Sequence, residues 1–185
     1  MKEDITKSLE ILREGKLLLY PTDTVWGLGC DATNEEAVQK VYQLKNRSES
    51  KSLVVLVDSL KMLNEYIQYI PDEALKLLNS LEKPTTIIYE HQRGLAKNMV
   101  ADDNTIAVRI PNHQFCKDLI KEFGKPIVST SANKSGEETP KSFGEISPAI
   151  VEGVDYVVKI ERDKVSDKSS TILKLIGDEV QVIRP

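Results

Sequence analysis

The chain has 185 residues, of which 40% are hydrophobic and only 5% are aromatic, and its formal net charge is -4. This length and composition are typical of a globular protein with an aliphatic core, and we expect a single domain over residues 1–185. The acidic balance argues against a surface built throughout for nucleic acid, although it leaves room for a local basic groove.

Cysteine usage and hydropathy exclude further classes. Cys30 and Cys116 lie far apart and form no CxxC or Cys/His cluster, which argues against a structural zinc site. Free thiols in a reducing cytosol are the simpler interpretation, and one disulfide remains open. The charged N-terminus lacks the apolar core of a signal peptide, and no apolar run approaches the ~20 residues that span a membrane. We therefore expect a cytoplasmic protein that does not contact membranes.

The first half of the chain alternates predicted helices and strands. Apolar periodicity predicts an amphipathic helix over residues 4–14, and a continuous apolar run predicts a buried strand over 16–20. Thr33 and Glu36 have the spacing of a capping box and predict a second helix that ends near Lys45. The same patterns predict a strand over 53–57, helices over 60–67 and 71–81, and a strand over 85–89.

Strands dominate the second half, after a stretch at 90–104 with little periodicity. The predicted elements are a strand over 105–111, a helix over 114–123, a strand over 126–128, a polar loop with a short helix over 134–148, and strands over 156–160, 171–176 and 179–183. The last two strands are joined by a tight turn at Gly177-Asp178. This order predicts an α/β fold with a mixed sheet flanked by helices.

A polar segment directly after the first predicted strand is the most prominent candidate site. Thr22, Asp23 and Thr24 are poorly suited to a core, but loops that follow strands often carry function. Their side chains can bind an amine, a hydroxyl or a hydrated metal ion. Gly27 and Gly29 would let the backbone pass close to a ligand or adopt a positive φ. An ordinary turn capped by threonine and aspartate is the alternative interpretation.

A group of cations follows the second predicted helix. Lys45, Arg47 and Lys51 lie within seven residues, in a predicted loop, and suit a polyanion such as the phosphates of a nucleotide. A solvated charged face that includes Glu49 is the alternative. Arg109 lies in an apolar strand, where a lone charge is costly, so it must either pair with a carboxylate or face a ligand.

Two further polar clusters, at residues 129–133 and 169–171, contain serine, threonine and asparagine in numbers that exceed the needs of one helix cap.

The sequence contains no GxxxxGK[ST] phosphate loop, no GxGxxG fingerprint and no GxSxG nucleophile elbow. His91 and His113 sit in polar contexts, so we expect surface histidines and no histidine acid/base scheme. The residues themselves indicate an anion site, with a metal–nucleotide complex as its simplest ligand, that works by positioning and electrostatics.

Five segments, in order along the chain, resemble signatures of the YrdC/TsaC family of threonylcarbamoyl-AMP synthases. Residues 20–29 resemble the opening signature, with Trp26 where tyrosine is usual, and residues 45–53 resemble its K-x-R-P…K-P-L segment. The others are residues 107–111, 130–136 and 170–172. Departures from the pattern are Ser48 and Ser52 in place of two prolines, Leu56 in place of a histidine of some members, and the partial match of residues 83–87.

The resemblance implies a twisted, open mixed sheet of the YrdC/RibB type with a large, positively lined concave cavity, in the short form of the family. It implies an enzyme that joins L-threonine, bicarbonate and ATP, with Mg²⁺, into L-threonylcarbamoyladenylate and pyrophosphate. The implied partners are tRNA-modification proteins and tRNA itself. By position, Thr24, Arg109 and Ser170 would contact threonine, Lys45 and Arg47 would be catalytic, and the ATP subsite would comprise Arg47, Lys51, Thr105, Ser131, Asn133, Thr139 and Arg184.

Two other functions share parts of this pattern. The first is a module that binds double-stranded RNA or tRNA in the basic cavity without turnover. The net charge of -4 and the retained small-molecule positions favour the enzyme, whereas steeply salt-dependent RNA binding would favour the module. The second is a carbamoyl-transfer domain like that of hydrogenase maturation, but such proteins have additional domains and cysteine-rich zinc motifs that this sequence lacks.

Overall fold

The computed structural model describes residues 1–48 and 53–185. The described helices are α1 (Lys2–Arg13), α2 (Glu35–Lys45), α3 (Leu60–Tyr66), α4 (Asp72–Ser80), α5 (Gln114–Phe123) and α6 (Pro148–Gly153), with short 3-10 helices at Lys97–Met99 and Phe143–Glu145. The described strands are β1 (Leu18–Tyr20), β2 (Gly27–Gly29), β3 (Val54–Leu56), β4 (Thr85–Glu90), β5 (Thr105–Arg109), β6 (Ile127–Ser131), β7 (Tyr156–Val157), β8 (Thr171–Ile176) and β9 (Glu179–Arg184).

These strands form one mixed sheet in the order β7-β1-β2-β6-β3-β5-β4-β8-β9. Three neighbouring pairs are parallel, namely β1 with β7, β3 with β5, and β4 with β8. The remaining pairs are antiparallel. The α/β class, the mixed sheet and the flanking helices agree with the sequence prediction. No helix in the described part of the chain is long and apolar enough to cross a membrane.

Helices α1 and α5 follow their apolar periodicity, and α2 and α5 end at residues in the left-handed conformation. Helix α1 buries Ile5, Leu9 and Leu12 on one face, as their spacing predicts. Helix α5 ends at Gly124, whose φ of 74° is a conformation that glycine adopts without steric cost. These two helices pack against each other on the sheet.

The start of α2 differs from the prediction by one residue. Asn34, and not Thr33, is the N-cap, because its side-chain oxygen accepts the N–H of Ala37 at 3.0 Å. Thr33 is unavailable, since its N–H and its hydroxyl both donate to one carboxylate oxygen of Asp31, at 2.8 and 2.6 Å. The capping box that we predicted from Thr33 and Glu36 is therefore wrong.

Strand β2 was not predicted, and it explains two glycines differently from the sequence analysis. Gly27 and Gly29 do not adopt positive φ values. Both positions require glycine because β2 passes close to β6 and to Tyr20. A Cβ on Gly29 would lie 2.1 Å from the carbonyl oxygen of Val128, and one on Gly27 would lie 3.2 Å from the Ser129 hydroxyl.

Two strand boundaries also differ. Strand β6 continues to Ser131, so Ser129, Thr130 and Ser131 belong to the strand and do not follow it. Strand β7 stops at Val157 and does not reach residue 160.

A small apolar cluster anchors the loop between β1 and β2. Trp26 is 4% exposed and packs with Leu19, Ala132, Ile146 and Ile150. Its ring centroid lies 5.0 Å from that of Phe143. The contact joins the loop to the segment around α6, part of which we predicted as loop.

Candidate functional site

A cavity of about 510 Å³ opens beside the loop between β1 and β2. Its walls come from that loop, from β3, β4, β5 and β6, and from residues 139–141 and 167–172. The charges on these walls are mostly positive. Among the described residues that line it, five are cations and one is a carboxylate, a balance of about +4 on a chain whose net charge is -4. The charged residues are Arg47, Arg109, Lys141, Asp167, Lys168 and Arg184.

A buried ion pair forms part of the cavity wall. Arg109 Nη1 lies 2.5 Å from Asp23 Oδ1, and both side chains are more than nine-tenths buried. The second oxygen of Asp23 accepts the N–H of Asn112 at 3.0 Å. Arg109 Nε is buried and has no hydrogen-bond partner among the described residues. Arg109 thus pairs with a carboxylate and also faces a cavity, which are the two options that its sequence position left open.

The two threonines of the same loop have separate roles. The hydroxyl of Thr22 donates to the carbonyl oxygen of Val25 at 2.7 Å and accepts the N–H of Thr24 at 3.1 Å. Thr22 therefore closes the turn, as the alternative interpretation of this segment proposed. The side chain of Thr24 lies among the residues that line the cavity, and its hydroxyl lies 3.0 Å from that of Thr22.

Ser170, Thr86 and Arg184 form a polar wall. The hydroxyls of Ser170 and Thr86 are 2.8 Å apart. The carbonyl oxygen of Ser170 accepts bonds from Arg184 Nε at 3.1 Å and from Nη2 at 2.7 Å. These two bonds hold the side chain of Arg184, which lies on the outermost strand of the sheet, at the cavity. The position of the Arg184 side chain therefore depends on Ser170.

We predicted that Lys45 lies in a loop, but it is the last residue of α2. Its ammonium donates to the carbonyl oxygens of Ser131 and Asn133, each at 2.5 Å, and the residue is 1% exposed. Burial, together with the charge of Arg47, lowers the pKa of Lys45 to about 8. Lys45 is not among the residues that line the cavity. It ties the end of α2 to the end of β6, and its catalytic role stays a prediction.

Two other predicted ligand residues also lie away from the cavity wall. The hydroxyl of Thr105 donates to Asp103 at 2.5 Å. The side-chain nitrogen of Asn133 donates to the carbonyl oxygens of Lys134 and Glu137, while its buried Oδ1 has no partner among the described residues. Their assignment to an ATP subsite stays a prediction, and the predicted Lys51 lies outside the described residues.

His113 corrects another expectation. It is 7% exposed, and its Nε2 lies 3.1 Å from Glu161 Oε1, so it is not a surface histidine. Its hydrogen-bond partner lies 48 positions away in the sequence, a contact that no local pattern reveals. His91 is exposed, as predicted, and has a φ of 57°.

The structure brings together seven of the eleven predicted site residues in this one cavity. They are Thr24, Arg47, Arg109, Ser131, Thr139, Ser170 and Arg184. Sequence analysis missed Thr86, Lys141, Asp167 and Lys168, which line the same cavity. The proximity of Asp167 and Lys168 to the cluster at 169–171 was the available signal. Their substrate contacts stay predictions.

A family model for Sua5, YciO and YrdC proteins, described as "Telomere recombination", matches residues 10–185. The chain belongs to the Sua5/YciO/YrdC family. A threonylcarbamoyl-AMP synthase of Pseudoalteromonas translucida is 36% identical over 157 residues, which are 83% of this chain and 84% of the relative. A threonylcarbamoyl-AMP synthase of Saccharophagus degradans is 37% identical over 139 residues, or 75% and 73% of the two chains.

A solved member of the family has the same fold. The crystal structure of P. abyssi Sua5 complexed with L-threonine superposes on this chain with a TM-score of 0.91 at 27% sequence identity. All of this chain is covered, but only 54% of that longer protein. The family resemblance that the five sequence segments indicated is thereby confirmed.

Proposed function

We propose that this protein is an L-threonylcarbamoyladenylate synthase, which forms threonylcarbamoyl-AMP and pyrophosphate from L-threonine, bicarbonate and ATP. The observation that carries the proposal is the cavity itself, whose described lining contains Arg109 and four further cations against one carboxylate. Such a wall suits one carboxylate and one polyphosphate together. Relatives named threonylcarbamoyl-AMP synthase and a relative crystallised with L-threonine support the same reaction.

Threonine binds, in this proposal, at the Arg109 side of the cavity. The guanidinium of Arg109 donates to the substrate carboxylate, and Asp23, which engages Nη1, fixes the plane of the group. The hydroxyls of Thr24 and Ser170 line the same cavity and offer hydrogen bonds to the amino acid.

ATP occupies the remainder of the cavity. Arg47 and Arg184 contact its phosphates, and Ser131 and Thr139 supply hydroxyl donors. Mg²⁺ would enter with the nucleotide and would offset charge on the phosphates. Asp167 is the carboxylate of the described lining, and the described residues contain no group of three His, Cys, Asp or Glu side chains that could hold a metal. Asp167 would offer the ion one carboxylate, and the phosphates of the nucleotide would offer further oxygen ligands.

The reaction needs no covalent nucleophile from the protein. The neutral amine of threonine attacks the carbon of bicarbonate, and loss of water gives the carbamate. A carbamate oxygen then attacks the α-phosphorus, and the bond to pyrophosphate breaks. The cationic wall stabilises the charge that develops on the departing phosphates. We propose that the protein works in the cytoplasm, where ATP and tRNA are available, with tRNA-modification proteins as its partners.

The test is pyrophosphate release from ATP with Mg²⁺ and bicarbonate, comparing L-threonine with L-serine and with no amino acid. We expect threonine-dependent release that Arg47→Ala reduces at least tenfold, because a phosphate contact made in the transition state is lost. Arg93→Ala is the matched control, since Arg93 bonds backbone carbonyls of residues 64 and 65 outside the cavity. Folded protein without turnover but with steeply salt-dependent tRNA binding would replace the synthase by the RNA-binding alternative.

A further inference from the structure

A second pocket lies on the other side of the Asp23–Arg109 pair. Arg109 lines the cavity described above, whereas Asp23 lines this pocket, whose volume is about 560 Å³. Its walls come from the end of α4, the segment that leads into β4, the turn between β5 and α5, and the segment before β8. We call it the lysine pocket, after Lys83, Lys117, Lys164 and Lys168.

The charge of the lysine pocket is not neutralised within the protein. Lys164 pairs with Glu161 at 2.9 Å. Lys83, Lys117 and Lys168 form no ion pair within residues 1–48 and 53–185. The two carboxylates that line the pocket are Glu82 and Asp23, and Asp23 is already engaged by Arg109.

The start of α5 adds donors at the same place. This ten-residue helix has no side-chain cap, so the N–H groups of its first turn and its dipole favour an anion. His113, the N-cap residue, lines the pocket and is buried, and its Nδ1 has no hydrogen-bond partner in the described chain. Nε2 of the same ring is occupied by the Glu161 carboxylate, so the imidazole is not counted among the donors to an anion, which come from the helix end and the lysines.

One wall of the pocket is apolar. Leu78, Leu81 and Ile110 line it. Apolar neighbours exclude water and lower the local dielectric constant, so the half-buried Lys117 attracts an anion more strongly than it would on an open surface.

We propose that the lysine pocket binds pyrophosphate. The volume exceeds that of a single phosphate group, and three unpaired lysines with one uncapped helix end match an anion with several negative charges. Lys168 lines both the lysine pocket and the cavity, so it can contact pyrophosphate as the anion passes from one to the other. That transfer rests on the proposed function, whereas binding in the lysine pocket does not.

Direct binding tests the proposal without turnover. Pyrophosphate is titrated into the full chain without Mg²⁺ or nucleotide, by calorimetry and by amide chemical shifts in two-dimensional NMR. We expect two binding events, one of which shifts the amides of residues 114–117. Lys83→Met/Lys117→Met weakens that event at least tenfold and leaves the other, while Arg47→Ala has the opposite pattern.

The matched control is Lys121→Met, which removes the same charge from the exposed side of α5, one turn beyond Lys117 and outside the pocket. It should leave both events unchanged. The proposal is overturned if Lys83→Met/Lys117→Met titrates like the unmodified chain. It is also overturned if Lys121→Met weakens binding as much as the double variant does. Loss of both events in Arg47→Ala would assign all pyrophosphate to the cavity. Because no turnover is measured, an inactive protein does not affect the result.

Discussion

Asp23 and Arg109 join the loop after β1 to the end of β5 through a buried ion pair. One oxygen of Asp23 binds Arg109 Nη1 and the other accepts the N–H of Asn112, so the carboxylate uses both oxygens. Breaking a buried pair leaves a charge without a partner, which makes this contact important for the geometry of the loop. Thr24, the next residue, lines the cavity, so the pair also positions a predicted substrate contact.

We predict that Asp23→Asn raises KM for L-threonine about tenfold, with a smaller change in kcat, because Arg109 loses the charge that orients it. Asp23→Glu should recover part of the loss. Steady-state kinetics with varied threonine measure the effect, and Asp102→Asn on an exposed turn is the matched control. An equal loss in kcat at saturating threonine would mean that Asp23 contributes to the chemical step and not to positioning.

Lys45 makes the stability of the fold depend on pH. Burial lowers its pKa from the ordinary 10.5 of a lysine to about 8 in the folded state. Between these values the unfolded chain binds more protons, so the Lys45 contribution to the free energy of unfolding rises with pH. Below pH 8 both states are protonated, and the burial penalty is present in full.

We therefore predict that, from pH 8 to pH 10.5, the free energy of unfolding of the unmodified chain rises relative to that of Lys45→Met. Urea unfolding at intervals across this range measures it. Lys61→Met, at an exposed position on α3, should give a difference that does not vary with pH. A flat difference for Lys45→Met as well would show that the carbonyls of Ser131 and Asn133 offset its burial completely.

Thr139 and Thr105 separate the predicted ATP contacts by location. Thr139 lines the cavity, whereas the Thr105 hydroxyl is bonded to Asp103 outside it. We predict that Thr139→Val raises KM for ATP about tenfold or more, the loss expected for one hydrogen bond to a charged ligand. Thr105→Val should instead lower the free energy of unfolding by about 1 kcal/mol and leave KM for ATP unchanged. The reverse outcome would place the nucleotide near the start of β5.

Much of the fold could be predicted from the sequence, because most helices and strands have a pattern that extends over only a few neighbouring residues. Continuous apolar runs marked β1 and β3, and the apolar spacing of α1 with the glycine after α5 marked the helices. Strand β2 had no such pattern, since Gly-Leu-Gly has low strand propensity and is positioned by the close approach of β6.

The candidate site was predictable in composition but less so in geometry. Arg109 stood out because an isolated charge in an apolar strand requires a partner, and the structure supplies Asp23. Lys45 was assigned to a loop beside the phosphates, yet two backbone carbonyls hold it inside the protein. Backbone acceptors leave no mark in a sequence, and neither does the carboxylate of Glu161 beside His113. Such contacts between distant segments therefore need the structure.

The tight packing of β2 against β6 gives the most severe predicted substitution. A Cβ at residue 29 would lie 2.1 Å from the carbonyl oxygen of Val128 and 2.9 Å from a ring carbon of Tyr20. Neither neighbour can move easily, because the carbonyl belongs to a central strand and the Tyr20 hydroxyl donates to the same oxygen at 2.7 Å. We predict that Gly29→Ala lowers the free energy of unfolding by about 3 kcal/mol or more.

Gly144→Ala is the control, since a Cβ there has its nearest neighbour at 4.0 Å and the backbone does not require glycine. It should change stability by no more than about 0.5 kcal/mol. Urea unfolding of both variants measures the difference. Because β2 connects Trp26 and Thr24 to β6, Gly29→Ala should also weaken threonine binding. A stable Gly29→Ala protein with unchanged binding would mean that β2 and β6 separate readily, which contradicts the packing described above.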